Sequence, residues 1–286
     1  MMMTDKKSRR GRWVRRCILI LAVLAALLLF FLQQQNDIQT QTVEIQAQEL
    51  PAAFDGLRIV HLSDLHGKQF GPGSETLLQS VANMKPDLIA VTGDLIDRAE
   101  QLDMVPALAK GLSEIAPTYY VTGNHEWAVR RINDLKKMLK ENGVRVLSNE
   151  FEIWEKDGAT IAIAGVDDPN GLLGQKTGDR LRGEITADYT ILLSHRDTVD
   201  TYAKWGYDLV LCGHGHGGII RVPWVDRGLF GTGLNLFPQY DGGLVSYQQG
   251  GYCFVSRGLG SNTVPVHAFR LFNRPDLPLL ILHSEG

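Results

Sequence analysis

Apolar residues in this chain fall into one long unbroken run near the start and a series of short runs spread over the remainder. The short runs, at 58–62, 88–91, 118–121, 159–165, 189–193 and 208–212, are largely continuous rather than alternating, which is the pattern of strands covered on both faces. Among them lie helical periods, over 74–85 with Ser74 as the cap and over 126–142 with Gly143 as the stop. Strand, loop and helix in repetition predict an α/β fold. Beyond Gly218 the chain turns to strand and loop character, with a Gly-rich excursion over 228–243 and closing strands over 245–256 and 279–283. No internal repeat is visible.

The long run occupies residues 17–32, sixteen positions without a polar side chain, with a basic cluster before it and Gln33-Gln34-Gln35-Asn36-Asp37 after it. That is close to the roughly 17 to 25 residues of a membrane span, and Trp13 and Val14 can extend it. It ends in Phe30-Phe31-Leu32-Gln33, without the small residues a signal peptidase needs, so it reads as an uncleaved anchor. The basic flank stays in the cytoplasm, which places the C-terminal body on the outer side of the cytoplasmic membrane. Arg9-Arg10 offers a second reading, as part of a twin-arginine export signal.

Four segments follow: a basic cytoplasmic tail over 1–16, a transmembrane anchor over 17–32, a polar linker over 33–50 and one domain over 51–286. Alternating Val43 and Ile45 mark 42–46 as a first strand within the linker. The tail holds seven of the chain's 29 basic residues and one acid, leaving the remainder with 22 basic against 31 acidic residues. A formal charge of −9 is a poor footprint for nucleic acid. Cys17, Cys212 and Cys253 make no disulfide framework. A Cys212–Cys253 pair is arithmetically open, and buried free thiols are the blander alternative.

The candidate chemistry lies at the strand ends. After successive strands stand Ser63-Asp64-Leu65-His66, Gly93-Asp94, Gly123-Asn124-His125-Glu126, Ser194-His195 and Gly213-His214-Gly215-His216. Taken singly, Asp64, Asp94 and Asn124 read as turn or cap residues and His195 as a hydrogen-bonded structural histidine. Taken together, five of eight histidines fall in these blocks, beside carboxylates and an amide, and this donor mixture suits two divalent cations. His61, His267 and His283 lack such company and read as strand or surface residues. Arg98 reads as either phosphate-facing or salt-bridged at the surface, and Asp167 and Asp168 read as turn formers before Pro169-Asn170-Gly171.

These blocks, in this order, resemble the calcineurin-like metallophosphoesterase superfamily: Asp-x-His, Gly-Asp, Gly-Asn-His-Glu, a separate His and Gly-His-x-His. The anchor and Ser256-Arg257-Gly258-Leu259-Gly260 are similar to the membrane-associated bacterial branch, which includes phosphodiesterases and UDP-diacylglucosamine pyrophosphohydrolase-like enzymes. The resemblance implies a four-layer αββα sandwich, two mixed sheets flanked by helices, behind an N-terminal transmembrane helix. It implies one metal on Asp64, His66, Asp94 and His216 and a second on Asp94, Asn124, His195 and His214, with Asp94 bridging. It also implies that His125 is the general acid that protonates the leaving-group oxygen, or else steadies the phosphoryl charge, and that Glu126 is a supporting or first-turn residue. Gly215 stands where the membrane branch often has Thr, and Ile219 where Gln commonly follows the paired glycines. Neither is a ligand position, so the departure concerns the substrate pocket.

The implied reaction is in-line attack on phosphorus by a hydroxide bridging two divalent ions, Mn, Fe, Zn or Co. The implied partners are a phosphoester substrate, a phosphodiester or pyrophosphate in a lipid or envelope component, and the membrane. A phosphomonoesterase or protein phosphatase, and a non-catalytic metal-binding scaffold, stand as alternatives. Phe230, Leu234, Leu236, Phe237 and Tyr240 read as a lid, a membrane-contacting rim or plain packing under a long loop.

Overall fold

The computed structural model describes residues 3–171, 178–261 and 268–285. In chain order the elements are α1 (Met3–Asn36), β1 (Gln39–Ala47), β2 (Leu57–Leu62), α2 (Glu75–Asn83), β3 (Leu88–Thr92), α3 (Val105–Ile115), β4 (Thr118–Val121), α4 (Asn124–Val129), α5 (Ile132–Glu141) and β5 (Arg145–Val146). Then come β6 (Glu150–Lys156), β7 (Ala159–Gly165), α6 (Gly178–Glu184), β8 (Tyr189–Leu193), α7 (Val199–Trp205) and β9 (Leu209–Cys212). The chain closes with β10 (Arg221–Val222), β11 (Arg227–Gly228), β12 (Gly243–Ser246), β13 (Tyr252–Val255) and β14 (Asp276–Ser284).

The strands form two six-stranded mixed sheets, ordered β1-β14-β2-β3-β4-β5 and β12-β13-β9-β8-β7-β6, plus a β10-β11 ribbon. Within them β2, β3 and β4 run parallel, as do β7, β8 and β9. Successive side chains on a strand face opposite ways, and both faces here are covered. Ile59, Ala90 and Tyr119 of the first sheet meet Ile163, Ile191 and Leu211 of the second in the central layer. Their neighbours Val60, Val91 and Tyr120 point outward to Leu77, Leu108 and Leu135 of α2, α3 and α5. On the far side, Ala162, Leu192 and Val210 pack with Leu181 of α6 and Tyr202 of α7. The result is the αββα sandwich.

Several boundaries differ from the sequence expectation for physical reasons. The strand expected over 42–46 runs from Gln39 to Ala47 and pairs in parallel with β14, Val43 opposite Leu280 and Ile45 opposite Leu282. Ser74 does not cap α2: it is buried with a left-handed backbone (φ 64°) and makes no capping hydrogen bond through its side chain. The single helix expected over 126–142 breaks at Arg130 (φ 58°). The first turn of α4 is tied to the strand ends by Glu126, while Leu135 and Leu139 of α5 must reach the outer core, and one straight axis does not serve both. The strand expected over 245–256 is a hairpin, because Gly250 and Gly251 adopt φ near 90° and reverse the chain between β12 and β13.

His61 is a buried core histidine. Its Nε2 lies 2.7 Å from Thr92 Oγ1, and burial pushes its pKa down to about 3. His283 pairs with Glu44 at the surface. His267 lies outside the described residues. Cys212 and Cys253 are buried free thiols with sulfurs 3.6 Å apart on adjacent strands.

Candidate metal centre

Five strand ends carry the candidate groups. Asp64, Asp94, His195 and His214 each stand two residues past the end of β2, β3, β8 and β9, and Asn124 three past β4. Stacking the sheets therefore brings all five loops to one edge of the sandwich. Asp64 (φ 53°), His66 (52°), Asp94 (53°), His214 (70°) and His216 (48°) all hold a left-handed backbone, which non-glycine residues seldom adopt. Gly93 and Gly123 make the close approach between the second and third loops. A Cβ on Gly93 would stand 2.4 Å from the Gly123 nitrogen.

Among the described residues three groups of donor atoms converge closely enough to hold a cation; His66, Asp97 and His125 form one, and the other two carry the expected ligands. In the first of these two, Asp64, His66 and His216 converge: His66 Nε2 lies 3.0 Å from His216 Nε2, and His216 Nε2 lies 3.6 Å from Asp64 Oδ1. In the other, His195 Nε2 lies 3.0 Å from Asn124 Oδ1, 3.1 Å from His214 Nδ1 and 3.3 Å from Asp94 Oδ2. The same Asp94 oxygen is 3.7 Å from His66 Nε2. Asp94 thus faces both clusters at once. All seven residues expected as ligands, and His125, are brought together.

The donor chemistry fits divalent cations. His66 Nδ1 is taken by the Asp97 carboxylate and His195 Nδ1 by the Thr92 carbonyl at 2.8 Å, which directs each Nε2 lone pair inward. Asp64 is steadied by the Ser63 hydroxyl at 2.6 Å and the His214 amide at 3.0 Å. Burial, with the nearby His195 and Arg196, holds His214 well below the usual imidazole range, and burial with His66 does the same for His216. Neutral imidazoles are what a cation requires. His195 goes the other way. Burial works against its charge, but the adjacent Asp94 carboxylate outweighs burial and pushes it up to about 10.

His125 borders the clusters and keeps partial access to solvent. Its Nδ1 lies 2.8 Å from Asp97 Oδ1 and its Nε2 3.9 Å from Asp94 Oδ2. Burial disfavours the imidazolium, yet the Asp97 hydrogen bond and the Asp94 charge raise the pKa overall. Glu126, fully buried, accepts the backbone N–H groups of Asp94 (3.1 Å), Leu95 (2.5 Å) and Gly123 (2.8 Å). Burial and the Asp94 charge push Glu126 up to about 7.

Sequence reasoning missed the contributions of Asp97, Asp167, Asp168 and Arg196. Asp97, three residues past Asp94, orients two histidines. Its only signal was a carboxylate on the same loop. Asp168, expected as a turn former, accepts a bidentate pair from Arg196 at 2.6 and 3.1 Å, and Arg196 Nη1 stands 3.1 Å from His214 Nε2. Asp167 likewise accepts from Thr122 Oγ1 at 2.7 Å and from Lys136. These pairings join loops far apart in sequence, which no local pattern reports.

Comparison with known proteins agrees with the geometry. The family model described as Calcineurin-like phosphoesterase matches residues 57–218, the stretch that holds every candidate group. An uncharacterized metallophosphoesterase of Aquifex aeolicus is 32% identical over 264 residues, covering 87% of this chain and 93% of its own. Phosphodiesterase YaeI of Escherichia coli is 28% identical over 79% of this chain and 82% of its own. A transmembrane protein with metallophosphoesterase domain from Danio rerio is 29% identical over 71% of this chain and 50% of its own. With the family matched over more than half its length, the chain belongs to the calcineurin-like phosphoesterases and is a metal-dependent hydrolase of phosphoric esters.

Proposed function

We propose that this chain is a membrane-anchored phosphodiesterase that holds two divalent cations and cleaves a phosphodiester or pyrophosphate bond in a lipid or envelope component, outside the cytoplasmic membrane. The observation that carries this reading is the position of Asp94, whose Oδ2 faces His195 Nε2 at 3.3 Å and His66 Nε2 at 3.7 Å. In this assignment Asp64, His66, Asp94 and His216 hold one cation, and Asp94, Asn124, His195 and His214 the other. Ions held there would lower the pKa of water and offset phosphoryl charge.

The chain's own residues supply the rest. His125, with its raised pKa and its side chain partly open to solvent, is placed to protonate the leaving oxygen. Asp97 holds that ring by Nδ1, leaving Nε2 to face the substrate. Glu126 fixes the backbone on either side of Asp94. Diester preference is supported by the phosphodiesterase among the relatives, and the membrane by α1. From Gly11 to Asn36 that helix is 26 residues long, about 39 Å at 1.5 Å per residue, and almost uncovered by the rest of the chain.

The test is hydrolysis of a chromogenic phosphodiester and the matching monoester by the full chain in detergent, stripped of metal and reloaded with Mn, beside Asp94→Asn. Metal-dependent diester turnover that the variant lacks is the expected result. Turnover of the monoester alone would make the chain a phosphomonoesterase, and bound metal with no turnover of either ester would favour a scaffold.

A further inference from the structure

Five large apolar side chains stand on the surface beside the metal-centre loop, and three of them occupy turns that glycine or asparagine would fill more cheaply. Trp224 is 100% exposed, and Val225, Leu234, Leu236 and Phe237 are each more than half exposed. Trp224 (φ 69°), Leu234 (59°) and Phe237 (51°) have left-handed backbones, as does Phe272 (53°), a further exposed apolar residue. For bulky residues this conformation is a genuine outlier. Bulky apolar groups presented to solvent at steric cost point to something that covers them.

The turns are built, not loose. Leu271, next to Phe272, accepts the Arg221 amide at 3.0 Å. Ile220 accepts Leu229 at 2.7 Å, and Leu229 accepts Phe237 at 3.1 Å, so one ladder of hydrogen bonds runs across the patch. Arg221, itself buried, clamps it: its guanidinium donates to the Gly217 carbonyl at 3.1 Å, the Asp241 carbonyl at 2.8 Å and Asp226 at 2.9 Å. Asn273 donates to the His216 carbonyl at 2.8 Å, which ties the same ladder to a candidate ligand.

What covers the patch is indicated by α1. Phe30, in the apolar part of that helix, packs on Phe272 with ring centroids 5.6 Å apart. The Gln35 side chain exchanges two hydrogen bonds with the Arg270 backbone, at 2.6 and 2.9 Å. The proposed membrane helix therefore leaves the bilayer against one end of the ladder, and the exposed apolar turns continue the surface from that point. A tryptophan at a rigid turn suits the interfacial zone of a bilayer, where an apolar ring meets water.

We infer that these turns form a rim seated in the outer face of the lipid bilayer, holding the metal centre against the membrane so that its substrate is a phosphoester still embedded there. This rests on the anchor proposed above. The occupant is lipid, and a second copy of the chain is the outcome that would replace it.

The experiment uses the full chain in phosphatidylcholine–phosphatidylglycerol nanodiscs. In a Cys17→Ala background, where Cys212 and Cys253 are buried, Trp224→Cys, Phe237→Cys and, as control, Lys110→Cys on α3 each carry a polarity-sensitive fluorophore. The unsubstituted chain labelled at Cys17 reports on the anchor. Lipids with nitroxides at shallow depth are expected to quench positions 224 and 237 and spare 110. Quenching at Cys17 with none at 224 or 237 overturns the rim and leaves the anchor standing. No quenching at Cys17 removes the anchor, and the rim with it. Blue-shifted but unquenched dyes at 224 and 237 would mean burial against protein, and also overturn it. In a second arm, Trp224→Ser with Phe237→Ser is expected to lower hydrolysis of a bilayer-embedded lipid phosphodiester about tenfold while sparing a soluble chromogenic diester. An equal loss on both counts against the rim. If neither ester is hydrolysed by the unsubstituted chain, the proposed activity fails, and the quenching still decides the rim.

Discussion

Oδ1 of Asp97 contacts the Nδ1 of His125 at 2.8 Å and also that of His66, so one buried oxygen aims two imidazoles with different duties. His66 Nε2 is turned toward the other candidate ligands, and the Asp97 contact raises the pKa of His125 beside it. Burial opposes ionisation of Asp97, but the hydrogen bonds from His125 and His66 hold its pKa at about 2. It is therefore an anion at neutral pH.

Asp97→Asn follows directly. An acid catalyst must be protonated, so activity falls as pH rises through its pKa. The Asp97 contact raises the His125 pKa and extends the active range upward. The variant is expected to move the alkaline limb of the kcat/KM profile to lower pH and to lower turnover by about 10²-fold or more. An unshifted limb would assign that limb to another group.

His125→Ala and Asp94→Asn separate acid from ligand. The first should cost about 10² to 10⁴ in turnover with metal stoichiometry intact. The second should lose both. Elemental analysis of the purified chains beside diester turnover checks the pair, and metal loss in His125→Ala would mean that this ring binds a cation.

Metal binding should release protons. Asp94 pushes His195 up to about 10, so at neutral pH a cation competes with a proton for that ring. Affinity is then expected to rise with pH, by up to about tenfold per unit, and to level off only as the raised pKa is approached. Calorimetry in buffers of different ionisation enthalpy reads the proton count. A count of zero at pH 7 would show that His195 is already neutral.

Glu126→Ala leaves three backbone N–H groups without their acceptor in a buried site. The expected loss is about 2–4 kcal/mol of stability, well beyond that of an exposed glutamate such as Glu141. Thermal unfolding of the two alanine variants, both stripped of metal, makes the comparison.

Much of this was legible in the sequence. The continuous apolar runs placed β2, β3, β4, β7, β8 and β9 nearly to the residue, because both sheet faces are buried and sequence periodicity reports burial. The candidate ligand blocks were visible because each is a short local string after a strand. By contrast, β6 hides its apolar residues among glutamates at a sheet edge, and the break at Arg130 depends on Glu126 reaching across to the Asp94 loop. Asp97, Arg196 and Asp168 gained their roles from partners in other loops. Tertiary placement, not residue pattern, assigned them.

The left-handed backbones at Asp64, His66, Asp94, His214 and His216 reach beyond catalysis. Each costs roughly 1–2 kcal/mol relative to a right-handed residue, against a total folding stability of about 5–15 kcal/mol for a typical domain. Cations on the proposed ligands would repay that debt by mass action. The amount of this protein in a cell should then follow the supply of its metal, with starved cells clearing the chain by proteolysis.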